Sequence, residues 1–404
     1  MDVNQSLALL AGLSPAQFMR RHWQKKPLLV RQALPGFQPL LSRAALFKLA
    51  ASEQVESRLI VQQAKGWRMK QGPLAPRSLP PLSQKAWTLL VQGVDLHDAG
   101  AHELLQQFRF VPDARLDDLM VSFATAGGGV GPHFDSYDVF LLQASGRRRW
   151  KIGRQKDLSL QEDVPLKILQ NFEPEQEFVL EAGDMLYLPP RYAHDGIAEA
   201  AAPGDGKAGD CMTYSIGFRS PGRGELAAEL LQRLAEFSED GDGADVPAGR
   251  APKVPDMYRD PGQDATATPA ALPAALATFA SQAVQDALKD PLALACVLGE
   301  YMTEPKPSVW FDEAADEWDA DAAKAGRMAV KLDARTRMMY DTDHVFINGE
   351  SYRAKGADAN LMRRLADGRG LAPQDLRKAG ASALALLGDW HDAGWLRQEP
   401  PADF

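Results

Sequence analysis

The sequence predicts an α+β protein centred on a jelly-roll-like antiparallel double sheet, with helical segments before and after it. Three observations predict it. Between Asp118 and Phe218 the apolar pattern takes the two-residue period of strands, with candidates at 118–125, 137–145, 147–153, 166–170, 176–181, 184–189, 193–200 and 211–219. Gly, Pro and Asp punctuate these short runs at the spacing of a sandwich or barrel. Outside this stretch, capping residues followed by apolar residues at helical spacing mark helices.

In chain order, Ser14-Pro15-Ala16-Gln17 supplies an N-cap, a Pro at the first helical position and a Gln to close a capping box. That predicts a helix running through Phe18 and Trp23. The segment Trp23-Gln24-Lys25-Lys26-Pro27-Leu28 then passes into an extended apolar run. Ser42 and Ser83 read as further N-caps, for helices over Ala44–Ala51 and Gln84–Val91. Leu59–Gln62 and Trp67–Lys70 are short strand candidates around a turn at Lys65-Gly66. These pieces form a scaffold for the later sheet.

Beyond the strands, Gly222–Phe237 is an amphipathic helix and Ala270–Tyr301 an alanine-rich helical stretch, joined by a flexible linker over 238–269 rich in Asp, Gly, Ala and Pro. From Met328 the texture changes again. Met328–Leu332, Thr336–Tyr340 and His344–Ile347 are strands, Asn348-Gly349 is a hairpin turn, and Asn360–Ala366 and Pro373–Trp395 are helices. Small strands with such helices suggest a winged-helix-like module. From residue 305 onward 14 Lys and Arg stand against 17 Asp and Glu, so this module lacks the charge that grips phosphates and no direct DNA binding is expected.

Composition narrows the function. With 404 residues the chain is long enough for two or three domains, and 45% hydrophobic with 25% charged residues is ordinary for a globular protein. A net charge of −9 argues against a non-specific nucleic-acid binder and suits basic partners. Two distant cysteines, Cys211 and Cys296, suggest a reducing compartment and exclude a disulfide framework. No apolar run reaches membrane-spanning length and no signal-peptide pattern opens the chain, so the expectation is a cytoplasmic protein without a membrane partner.

The chemistry centres on Gly131-Pro132-His133-Phe134-Asp135. In a strand, residues two apart share a face, so His133 and Asp135 aim at one spot. A third candidate, His194, follows 61 residues later in Pro189-Pro190-Arg191-Tyr192-Ala193-His194. Two imidazoles and a carboxylate make the facial triad of non-haem Fe(II) oxygenases, which leaves coordination positions free. A lone strand histidine is ordinarily a hydrogen-bonded core residue; the buried carboxylate beside it is what asks for a cation. His22, His97, His102, His344 and His391 occupy helical or surface-like contexts and are taken as non-ligands. Asp195 falls on the opposite face from His194 and is not counted as a ligand. Gly127-Gly128-Gly129 is either a flexible loop or a place where backbone closely approaches a bound substrate.

The stretches Gly129–Phe140, Gly146-Arg147-Arg148-Arg149-Trp150 and Pro189–His194 resemble a JmjC-domain 2-oxoglutarate oxygenase, and more closely the bacterial ribosomal oxygenases that hydroxylate an arginine β-carbon in a large-subunit ribosomal protein. The likeness extends over nearly the whole chain. It implies a double-stranded β-helix (cupin/JmjC jelly roll) catalytic domain over 1–222, a helical dimerisation segment over 223–305 and a winged-helix-like domain over 306–404. It also implies Fe(II) on His133, Asp135 and His194, with 2-oxoglutarate anchored by Arg148. Ser122 matches a substrate-contact position, and Tyr137, Tyr214 and Ser215 are further pocket candidates. The implied partners are an arginine-bearing ribosomal protein and a second copy of the chain. Rival readings are a cupin or JmjC enzyme on another residue or a small molecule, and a non-catalytic ribosome-associated factor.

Overall fold

In the computed structural model the Ser14 hydroxyl accepts the Gln17 N–H and the Gln17 side chain accepts the Ser14 N–H, so the capping box opens α1 (Pro15–Arg21). The helix stops before Trp23, two residues short of the expected end. The structure describes residues 2–64, 66–200, 211–240, 257–259, 270, 272–353 and 355–400. Two units are distinct, Met1–Ser220 with Lys306–Phe311 and Pro221–Pro305 with Asp312–Phe404.

In the first unit α1 is followed by β1 (Leu28–Val30), α2 (Arg43–Leu49), β2 (Ser57–Gln63), β3 (Gly66–Gln71), β4 (Trp87–Val91) and α3 (Ala99–Gln106). Then come β5 (Leu116–Ala124), β6 (Val139–Ser145), β7 (Arg148–Gly153), β8 (Gln176–Leu180), β9 (Met185–Leu188), β10 (Ala193–Ala198) and β11 (Cys211–Phe218). Eight strands form one sheet in the order β1-β9-β6-β11-β5-β4-β2-β3, and β10-β7-β8 form a second. Ser42 caps α2 as expected, its hydroxyl accepting the Ala45 N–H.

Three expectations fail here. Gln84–Val91 is not a helix: Trp87–Val91 is β4, an inner strand between β2 and β5 with all five residues buried. Residues 166–170 form no strand; Leu169 makes only an isolated bridge to Leu160. Nor does the H-x-D step lie in a regular strand. His133 forms a single bridge, and β6 begins only at Val139.

The large sheet buries both faces. On one, Leu119, Val121 and Phe123 of β5 join Phe140, Tyr187 and Tyr214 in a core with Phe18, Leu46 and Phe108 of the N-terminal scaffold. Each fully buried side chain of this size contributes ~1.5–3 kcal/mol. On the other, Val139, Leu141, Leu186 and Leu188 meet Trp150, Ile152 and Leu180 of the small sheet, closing the jelly roll. The glycine loop is shaped by protein contacts: a Cβ on Gly128 would lie 2.4 Å from the Trp87 carbonyl oxygen, and one on Gly129 2.5 Å from that of Gly196.

The second unit contains α4 (Arg223–Asp240), α5 (Ala274–Ala287), α6 (Pro291–Thr303), α7 (Ala320–Ala325), β12 (Ala329–Leu332), β13 (Met338–Tyr340), β14 (His344–Ile347) and β15 (Glu350–Arg353). It ends with α8 (Gly356–Gly368), β16 (Gly370–Leu371), α9 (Pro373–Leu376), α10 (Ala381–Asp392) and β17 (Leu396–Glu399). The expected linker over 238–269 lies outside the described residues except for Ser238–Asp240, which continue α4, and 257–259. The single helix expected over Pro373–Trp395 is two, separated at Gly380, and Leu396 starts a strand. His344 and His391 are buried rather than surface residues, held by Asp341 and by Asp316 with Asp392.

Candidate metal centre

His133 and His194 are joined through their backbones before their side chains meet. The His133 N–H donates to the His194 carbonyl at 2.9 Å, and the His194 N–H returns to the His133 carbonyl at 2.8 Å. This bridge ties the loop before β6 to the start of β10 and sets the two imidazole centroids 4.2 Å apart. The Asp135 carbonyl accepts the Arg191 N–H at 2.7 Å, fixing the same loop to the turn that leads into β10. One ligand atom from each of His133, Asp135 and His194 lies within 4.8 Å of the others. Within the cluster His194 Nε2 lies 3.6 Å from Asp135 Oδ2.

The tautomers follow from the partners. His133 Nδ1 faces the Gly131 carbonyl at 2.8 Å and His194 Nδ1 faces the Tyr192 carbonyl at 2.9 Å. A carbonyl only accepts, so each Nδ1 carries the proton and each Nε2 keeps its lone pair for a metal. Burial, then the neighbouring His133, hold the His194 pKa down to about 4, with Asp135 pulling the other way. His194 is therefore neutral at physiological pH, the form that ligates. Its ring lies 5.8 Å from that of Trp150. Gly196 makes room for this indole, since a Cβ there would come within 2.5 Å of the ring.

Arg148 lies on the same side of the small sheet. Along β7 the burial alternates, so Arg148, Trp150 and Ile152 point into the jelly roll. Arg149 points out and pairs with Glu177 and Glu199, and Arg147 also meets Glu199. The Arg148 guanidinium is 4% exposed, donates one 3.4 Å bond from Nη1 to the Gly196 carbonyl, and leaves Nε and Nη2 without a partner among the described residues. A buried cation so poorly matched is costly unless an anion completes it. The two unpartnered nitrogens, Nε and Nη2, suit a bidentate carboxylate.

Register places the remaining candidates. Ser122 pairs with Thr213 across β5 and β11, and Thr213 with Gln143 of β6, so the three form a buried polar row on the sheet face that meets β7 and β10. The Ser122 hydroxyl donates to the Thr213 carbonyl at 3.3 Å, and Thr213 Oγ1 to Gln143 Oε1 at 3.0 Å. Ser215 shares this face. Tyr214 does not: it points into the scaffold core, where its hydroxyl accepts the Leu40 N–H at 2.9 Å. Tyr137 lies in the loop after Asp135. Its ring is partly exposed, but burial of the hydroxyl end, then the carboxylates of Asp135 and Asp118, raise its pKa. Sequence reading missed Thr213 and Gln143; two-residue alternation from Ser215 would have found Thr213.

The JmjC domain family matches residues 103–226, and a ROXA-like winged helix family matches residues 286–397. The ribosomal protein uL16 3-hydroxylase of Escherichia coli K12 is 32% identical over 346 residues, covering 82% of this chain and 84% of that protein. A probable ribosomal oxygenase of Haemophilus influenzae is 36% identical over 219 residues, covering 53% of this chain and 52% of that protein. The solved structure of an Escherichia coli ribosomal oxygenase with cobalt and 2-oxoglutarate superposes with a TM-score of 0.76 at 27% identity, covering 95% of this chain and 98% of that one. With the His-Asp-His cluster, the JmjC match over β5 to β11, the winged-helix match over residues 286–397 and 32% identity to a ribosomal protein hydroxylase across 82% of this chain, the chain belongs to the JmjC-domain ribosomal oxygenases.

Proposed function

We propose that the chain is an Fe(II)- and 2-oxoglutarate-dependent hydroxylase of a large-subunit ribosomal protein, acting at the β-carbon of an arginine. The observation that carries the reading is the pairing of the triad with the buried guanidinium of Arg148, whose Nε and Nη2 have no partner among the described residues. A structural barrel has no need of either.

In this reading His133, Asp135 and His194 hold the metal through two Nε2 atoms and a carboxylate oxygen. Bound Fe(II) with its cosubstrate supplies dioxygen activation coupled to oxidative decarboxylation. The protein's own work is positioning. The Gly131 and Tyr192 carbonyls fix the imidazole tautomers, Arg148 anchors the far carboxylate of the cosubstrate, and Trp150, Ile152 and Leu188 keep that side of the site dry. Ser122 and Tyr137 are the proposed substrate contacts. The carboxylates of Asp135 and Asp118 that act on Tyr137 favour a cationic side chain at this position.

A homodimer completes the proposal. Val284, Leu288, Leu292, Leu294 and Leu298 leave apolar side chains exposed along α5, α6 and the turn between them, more than single scattered residues would. The expected location is the cytoplasm, where ribosomal proteins are made; no helix among the described residues is long and apolar enough to cross a membrane. Incubation of the purified protein with Fe(II), 2-oxoglutarate and dissociated ribosomal proteins, followed by intact-mass analysis, tests the function. One large-subunit protein should gain the mass of a single oxygen. No gain on any of them would remove the substrate class.

A further inference from the structure

The net charge of −9 conceals a strong asymmetry. Residues 1–94 carry 13 Lys and Arg against three Asp and Glu, whereas the remainder carries 32 against 51. Within the basic part, residues 57–94 hold six Lys and Arg and no carboxylate at all. Such a polarity within one chain is a sign of a polyanionic partner.

We propose that the outer face of the β2–β3 hairpin is a docking strip for the phosphodiester backbone of an RNA strand. Strand pairing sets Leu59 opposite Lys70 and Val61 opposite Arg68, so these four side chains share the face turned away from Trp67 and Met69. With Gln63, Ser78, Leu79, Pro80 and Gln84 they line a groove of about 450 Å³. Its floor is apolar and its rim is amide, hydroxyl and cation, a mixture suited to ribose and phosphate. Arg77 and Lys85 directly adjoin the lining residues Ser78 and Gln84, and both are exposed. Arg68, Lys70, Arg77 and Lys85 make no ion pair among the described residues, unlike Arg31, Arg109 or Arg149 elsewhere in this unit. Arg68 and Lys70 are two residues apart on one strand, roughly 7 Å, so they can meet successive charges of a linear polyanion.

A simpler explanation exists for part of this. Because β3 is the edge of the eight-stranded sheet, Lys and Arg there would discourage pairing with other chains. That accounts for Arg68 and Lys70, but not for Arg77 and Lys85 outside the strand, nor for the loss of every carboxylate from 57 to 94. The hairpin that carries the strip also borders the loop of the metal centre, since a Cβ on Gly131 would lie 2.7 Å from the indole of Trp67 on its opposite face. A basic ribosomal protein would be repelled by such a surface, so the strip is not its binding site. The choice of RNA over other polyanions rests on the ribosomal-protein reading; the charge asymmetry does not. A substrate already associated with ribosomal RNA would present phosphates beside the segment entering the site.

The test is fluorescence anisotropy of a fluorescein-labelled single-stranded RNA of about 20 nucleotides, long enough for one groove and its flanks. The full chain is titrated without iron or cosubstrate, so the outcome does not depend on hydroxylation. Neutralising about three phosphates predicts roughly twenty-fold weaker binding when salt rises from about 50 to about 200 mM. Arg68→Glu with Lys70→Glu should weaken binding ten-fold or more while leaving peptide-independent 2-oxoglutarate turnover unchanged. If that pair lowers the melting temperature, Arg77→Ala with Lys85→Ala, outside the strands, should still weaken it at least three-fold. Absence of binding at the lower salt, binding indifferent to both pairs, or equal affinity for polyglutamate or for vesicles rich in phosphatidylglycerol would overturn the proposal.

Discussion

A buried cation without an anion is the most informative single residue in this protein. If Arg148 anchors a carboxylate, Arg148→Ala should raise the KM for 2-oxoglutarate by ten-fold to a hundred-fold, consistent with ~1.5–3 kcal/mol for a charge-assisted hydrogen bond. Initial rates across cosubstrate concentration measure this, and an unchanged KM would remove Arg148 from the site. Asp95 supports a second prediction. Burial, then the neighbouring Asp118, raise its pKa from 3.8 to about 7, although its carboxylate accepts the Leu119 N–H and Lys306 opposes the shift. Because the folded form binds this proton more tightly, the associated stability is present below pH 3.8 and lost as pH rises through about 7. Asp95→Asn keeps an acceptor for Leu119, so its melting temperature should overtake that of the wild type progressively from about pH 5 to about pH 8. A gap independent of pH would contradict the assignment. His133, Asp135 and His194 were legible as a set because residue type and spacing encode them. The carbonyls that orient the imidazoles were not, since they depend on how Gly131 and Tyr192 are placed by the fold. Tyr214 was misread for a related reason: one step along β11 reverses the face.

Strands fared differently from one another at the level of elements. Those with one solvent-facing side, such as β7, alternate in burial and could be read from sequence. In β4 all five residues are buried, so no alternation survives to contradict the helix-like cap at Ser83. Residues 166–170 are apolar enough for a strand but have only one bridging partner, Leu160. The metal-bearing loop depends on an inter-strand contact that sequence alone could not locate. Gly129 passes so close to Gly196 that any side chain meets the carbonyl at 2.5 Å. Gly129→Ala should therefore destabilise the protein by ~1–3 kcal/mol through overpacking and weaken metal binding. Urea unfolding measures the first effect. A variant as stable as the wild type would show that the loop can shift without cost.

For the whole molecule, the jelly-roll class was legible from the count and punctuation of strands, and the C-terminal module from its hairpin and helices. Net charge misled in one respect, because a sum over 404 residues hides a basic N-terminal part inside an acidic chain. The exposed apolar side chains of α5 and α6 predict a dimer in solution, and light scattering coupled to size exclusion should return twice the chain mass; Leu294→Glu with Leu298→Glu should shift it toward monomer. The central claim is that side chains 61 residues apart in sequence clasp one ion beside a cationic anchor. Calorimetric titration of the metal-free protein with Co(II) tests it most directly, with and without 2-oxoglutarate. The account predicts one site per chain, lost in both Asp135→Ala and His194→Ala, and tightened by 2-oxoglutarate in the wild type but far less in Arg148→Ala. Unaltered Co(II) affinity in Asp135→Ala, with the fold intact, would contradict it.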